Sequence, residues 1–101
     1  TMYIGKVKVS NEWESLEDLI QAQVDGQSSF EFADSTTYQL QGEGPIGVRM
    51  ASVSSKPDSD DEGERIFGTQ VAIYEKDSGT LYVKAEQNSP NGQLLKISQL
   101  G

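Results

Sequence analysis

The feature that most limits what this chain can fold into lies in residues 67–100, where apolar and polar side chains alternate between turn-forming clusters. Residues 67–74 are rich in β-branched and aromatic side chains and end at Lys76-Asp77-Ser78-Gly79. Residues 81–85 follow, and Asn88-Ser89-Pro90-Asn91-Gly92 then leads into residues 93–98. A period of two puts successive side chains on opposite faces of a strand, and Asp-Ser-Gly and Pro-Asn-Gly supply turn chemistry. The pattern predicts two successive antiparallel hairpins. It places Val71, Ile73, Leu81, Val83, Leu95 and Ile97 on one buried face and leaves Gln70, Lys84, Glu86 and Lys96 in water.

The same signal recurs upstream. Residues 3–9 read as a half-buried edge strand, with Tyr3, Val7 and Val9 inward and Lys6 and Lys8 outward, since lysines deter unwanted edge pairing. Residues 11–20 are the one helical candidate: Ser15 can cap it, Glu17 and Asp18 suit the positive end of the helix dipole, and Leu16, Leu19 and Ile20 share a face. Val24-Asp25-Gly26 limits it to one or two turns. Trp13 is expected to cover one end of the core; its functional alternatives are a sugar-stacking platform or an interface anchor. Phe30-Glu31-Phe32 reads as a short strand, residues 37–41 as a strand with Tyr38 and Leu40 inward, and Gly42-Glu43-Gly44-Pro45 as a reversal. After it, Ile46, Val48 and Met50 point inward. Together these predict a mainly β protein: an antiparallel β-sandwich or small barrel of about seven strands, with one short helix near the N-terminus. Residues 1–101 form one domain, with an exposed acidic loop at about 54–65 that has almost no apolar content. Met2 reads as the natural start; no signal-peptide pattern or membrane-length apolar run follows it.

Composition narrows the chemistry. Sixteen Asp plus Glu face eight Lys plus Arg, a net charge of −8. Nucleic acid and anionic membranes are recognised through clustered cations, so both are excluded as expected partners. The chain has no Cys and no His. Without them there is no disulfide, no thiolate nucleophile, no Ser-His device and none of the commonest transition-metal ligands. The sequence therefore predicts a non-catalytic protein with no cofactor.

Two acidic motifs bear on chemistry. Asp58, Asp60 and Glu62 before Gly63 match the opening of a calcium loop, but Thr69 stands where the bidentate Glu belongs and Arg65 where an apolar residue belongs. No metal site is expected. Glu12 and Glu14 flank Trp13 without any feature that marks a glycosidase pair. The polar set Gln39, Gln41, Arg49, Thr69, Gln70 and Tyr82 suits contact with another protein or plain solvation.

Thr37-Tyr38-Gln39-Leu40-Gln41 with Gly44-Pro45, then Val48-Arg49, and Val71-Ala72-Ile73-Tyr74-Glu75-Lys76 with Leu81-Tyr82-Val83-Lys84-Ala85 resemble a group of small tailed-bacteriophage structural proteins. These share a threonine-tyrosine-x-[Ile/Leu]-glutamine strand, a proline-bearing variable loop and a closing hairpin with Leu-Tyr-Val. The resemblance covers residues 37–98; the acidity of residues 58–64 and the helical segment 11–20 fall outside the pattern. It implies a head-decoration, cement, tail or fibre component located in the virion. Such a protein binds capsid or tail subunits as a small symmetric homo-oligomer. The contact residues expected on this reading are Tyr3, Arg49, Tyr82, Asp58, Asp60, Asp61, Glu62 and Glu64. Two rival readings are an acidic inhibitor that mimics nucleic acid to block a host protein, and a carbohydrate-binding module built on Trp13 and Tyr82.

Overall fold

The computed structural model describes residues 2–44, 46–58, 63–66, 70–86 and 93–100. Among these, eight strands and one helix follow in order: β1 (Met2–Val9), β2 (Glu14–Ser15), α1 (Leu16–Gln23), β3 (Thr37–Glu43), β4 (Val48–Val53), β5 (Glu64–Ile66), β6 (Val71–Glu75), β7 (Thr80–Ala85) and β8 (Gln93–Leu100). They form two four-stranded sheets, ordered β1-β8-β3-β6 and β2-β7-β4-β5, with every pairing antiparallel. Their inner faces share one core, including Val7, Val9, Leu40, Val48, Val83, Leu95 and Ile97, each at most 1% exposed. The fold is thus the expected mainly β, two-layer antiparallel arrangement with one short helix.

The pairing differs from the predicted hairpins. Strands β6 and β7 lie in different sheets, as do β7 and β8. The cause is visible at the first crossing: the Asp77 carboxylate accepts from Gly79 N–H (2.8 Å) and from the Ser52 hydroxyl on β4 (2.7 Å). The turn is therefore tied to the opposite sheet and carries the chain across. The second turn, residues 88–92, lies outside the described residues.

Crossing also changes which face of β6 is buried. Tyr74 pairs with Tyr38 and Ala72 with Leu40, so Tyr74 is 5% exposed while Val71 and Ile73 are 50% and 58% exposed, not buried as predicted. Tyr74 takes the inward place because its ring meets Phe32 edge-on at 5.1 Å and its hydroxyl shares a hydrogen bond with Ser52 of the facing sheet. Lys84 also departs from expectation. It is buried, its ammonium donating to Ala85 O at 3.5 Å, because residues 10–15 run beside β7.

Tyr3 points outward, contrary to its predicted phase with Val7 and Val9. The register shifts between Tyr3 and Gly5, and this bulge sends Ile4 and Gly5 to the inner side together. The helix begins at Leu16 and runs past Ile20; Glu14 and Ser15 form β2 instead of its first turn. Ser15 is the N-cap, its Oγ accepting from Asp18 N–H, and Leu16, Leu19 and Ile20 are buried as expected. Phe30 to Phe32 are irregular, not a strand. Phe32 is buried against Phe30, Tyr38 and Tyr74, and its N–H donates to Glu17 on the helix at 2.8 Å.

Candidate functional site: the open side of the sandwich

A two-sheet sandwich has two lateral seams, each needing either closure or solvent-tolerant side chains. Here α1 bridges β1 and β2 at one seam, and β6 faces β4 and β5 at the other. The first seam is filled by α1, which packs on β1, β2 and β7. The second holds a groove of about 650 Å³ between β6 and the β4–β5 pair. Met50, Ile73 and Tyr74 give it apolar walls; Glu64, Glu75 and Asp77 give it carboxylates, and no Lys or Arg lines it among the described residues.

The two edges of the first sheet are managed differently. On β1, the Gln23 side-chain amide accepts from Lys8 N–H (2.8 Å) and donates to Lys8 O (3.0 Å), occupying the backbone groups a new strand would need. The bulge at Ile4 and the exposed Lys6 and Lys8 add further protection, and Gly5 lets Val24 press against the strand: a Cβ there would lie 2.6 Å from a Val24 methyl. On β6 none of this is present among the described residues. Gly42 N–H donates to Gln70 O, which fixes the phase of the β3–β6 ladder. Antiparallel bonding alternates, so Ala72 and Tyr74 bond toward β3, while Val71, Ile73 and Glu75 direct their N–H and C=O groups out of the sheet. These are also the residues whose side chains are exposed. In the second sheet the edges are two- and three-residue strands, too short to template much pairing.

The outward face of the first sheet continues this surface. The register sets Tyr3 beside Ser98, Gln39 and Ile73, and Lys6 beside Lys96, Gln41 and Val71. Lys96 Nζ lies 5.5 Å from the Tyr3 ring centroid, and Lys6 pairs with Glu43 at 2.7 Å. The hydrogen bond between that pair holds the Glu43 carboxyl below, and the Lys6 ammonium above, its ordinary range.

The sequence-predicted contact residues do not share one surface. Tyr3 sits on the outward face of the first sheet; Arg49 and Tyr82 sit on the outward face of the second. Arg49 lies directly across from Arg65 and Lys84, 3.7 Å from Glu86, and Glu86 also pairs with the Arg65 guanidinium. Asp58 is exposed in the β4–β5 connection and Glu64 lines the groove. Asp60, Asp61 and Glu62 lie outside the described residues, as does Thr69. Trp13 is 4% exposed and offers no open ring face on which a sugar could stack. Among the described residues no three acidic side chains gather as a metal site. Sequence reading missed Glu75 and Asp77 because the groove exists only where two sheets meet; it missed the β6 edge because the hairpin it expected would have covered that edge with β7.

Asp77 has its carboxyl held below the usual range by the Ser52 hydroxyl and the Gly79 N–H. Burial pushes the Tyr74 phenol up, opposed by its bond to Ser52. The chain Tyr74–Ser52–Asp77 therefore joins the two sheets along the groove wall, a fixed polar boundary rather than a reactive pair. No known protein family, characterised protein or solved structure matches the chain, so its function is argued from this surface.

Proposed function

We propose that this chain is a non-catalytic virion structural protein that docks on a capsid or tail lattice as a small symmetric oligomer. The observation that carries the binding reading is where its exposed apolar side chains fall. Of the six large ones among the described residues, Tyr3, Val71, Ile73 and Leu94 share the outward face of one sheet. A soluble domain that gathers apolar side chains on a rigid sheet, interleaved with Gln39, Gln41 and Ser98, has the make-up of a protein contact surface. The virion assignment is supported by the resemblance in residues 37–41, 44–45 and 48–49 and above all in residues 71–76 with 81–85. The absence of Cys and His from the sequence favours binding over bond-making.

The test is association. The purified chain is expected to sediment as an oligomer and to co-sediment with head or tail particles of the phage that encodes it. Ile73→Lys and Tyr3→Ser are expected to weaken that association without unfolding the domain. A monomer that never joins either particle overturns the reading.

A further inference from the structure

We infer that the β6 edge and the groove beside it bind an extended strand from a partner protein, one whose apolar side chains alternate with Lys or Arg. This rests on the reading that the chain works by protein contact, and it names the shape and charge of what is bound. Three observations carry it. First, Val71, Ile73 and Glu75 offer outward-facing N–H and C=O groups on a five-residue strand, while the opposite edge is shut by Gln23, the bulge and its lysines. Among the described residues, an edge left open while the opposite one is shut and the other two are short is the geometry of strand addition. Second, the groove of about 650 Å³ has room for the basic side chains on the inner side of an added strand, while its apolar ones fall on the outer side beside Val71 and Ile73. Third, Glu64, Glu75 and Asp77 line it without a cation among the described residues, so the occupant's charge is complementary when basic.

The same charges argue against a second copy. Pairing β6 with its own two-fold mate would bring two acidic grooves together on chains that each carry a net charge of −8. A separate basic strand meets no such repulsion. The added strand would continue the sheet through the odd-numbered residues 71, 73 and 75, setting its outward side chains beside Val71 and Ile73 and its inward ones over the groove.

The experiment uses the full chain, isotopically labelled, and a capped synthetic peptide of about eight residues alternating valine with lysine, long enough to span β6. Saturable amide shifts are expected at Val71, Ile73 and Glu75 and along the Met50–Val53 wall. A peptide alternating valine with glutamate is expected to bind at least about tenfold more weakly, and so is the lysine peptide N-methylated on the bonding side. Ile73→Lys and Glu75→Lys should each weaken the lysine peptide by about tenfold; both positions are exposed, and unchanged thermal unfolding confirms the fold. Equal binding of acidic and basic peptides, shifts confined to another surface, or no saturation overturns the inference. So does self-association through β6 that Ile73→Lys abolishes, which would make the occupant a second copy. Loss of peptide binding with particle association intact rejects this inference alone. Peptide binding without particle association rejects the lattice reading and leaves the edge site standing.

Discussion

Replacing Phe32 by Ala should remove the plug that joins the helix to Tyr38 and Tyr74 of the first sheet. Phe32 is 4% exposed, in a stretch with no strand ladder to hold it. Its ring meets Phe30 at 5.1 Å and 82°, Tyr38 at 4.8 Å and 73°, and Tyr74 at 5.1 Å and 68°. A buried Phe→Ala change costs about 3–5 kcal/mol from lost transfer energy and the cavity left behind. Edge-on ring pairs each add about 0.5–1.5 kcal/mol beyond area, which places this site near the top of that range, about 4–5 kcal/mol. A domain of this size has a total stability of about 5–15 kcal/mol, so the variant is expected to sit close to unfolding at room temperature. Phe32→Leu keeps most of the volume and loses the ring geometry, so it should cost only about 1–2 kcal/mol. Urea titration followed by the fluorescence of Trp13, the only tryptophan and a buried one, reads both variants against the parent. An Ala variant losing less than about 2 kcal/mol, or a Leu variant losing as much as the Ala variant, would refute the claim that ring packing anchors this segment.

Gly63 has φ +85°, and a Cβ there would lie 2.3 Å from the Met50 carbonyl oxygen, a backbone atom that cannot swing away. Gly63→Ala should cost at least about 2 kcal/mol and lower the thermal midpoint; a neutral result would show the β4–β5 approach to be adaptable. Asp77→Asn tests the turn that carries the chain between sheets. Because the folded carboxyl titrates below its unfolded value, its contribution is fully present above about pH 4 and lost as pH falls through the folded pKa. The urea midpoint of the parent should therefore drop more steeply than that of the variant between about pH 5 and pH 2; parallel profiles would remove the linkage. Tyr74 works in the other direction. Its raised pKa gives stability that is present below about pH 10 and lost as pH rises through the folded value, so Tyr74→Phe should remove a tyrosinate absorbance that grows in above about pH 10. Gln23→Ala frees the Lys8 backbone on β1; with water able to replace the amide, stability should fall by only about 1 kcal/mol, while self-association at high concentration should rise.

The fold class was legible because burial follows a period of two along β3, the second half of β1 and the first five residues of β8, and because Ser15, Glu17 and Asp18 mark a helix start by local chemistry. What was not legible is non-local. Lys76-Asp77-Ser78-Gly79 has the composition of a hairpin turn, and only the Ser52 hydroxyl, contributed from β4, decides that it crosses between layers. In β6 either phase buries apolar side chains: Val71 with Ile73, or Ala72 with Tyr74. The choice falls to the ring cluster around Phe32, forty residues upstream in an irregular stretch that carries no periodic signal. A bulge is equally invisible, since one extra residue at Ile4 reverses the face of Tyr3 without changing the pattern beyond it. The candidate site inherits this blindness: every residue of the groove was readable as a strand, turn or loop residue, and none as a wall.

The two errors about β6 are one physical fact seen twice. Had β6 and β7 formed a hairpin, β7 would have covered the outward N–H and C=O groups of Val71, Ile73 and Glu75, and the valine and isoleucine would have faced a core. Sending β7 to the other sheet leaves the bonding edge without a covering strand among the described residues and the two β-branched side chains in solvent, and it opens the seam against β4 and β5. Exposing two such side chains and an unpaired edge contributes nothing to folding and invites aggregation. At its opposite edge this chain forestalls the hazard with a glutamine clip, a bulge and two lysines. A fold that guards one edge that closely and, among the described residues, leaves the other bare, apolar and lined with carboxylates is best explained if that edge is covered when the protein is at work.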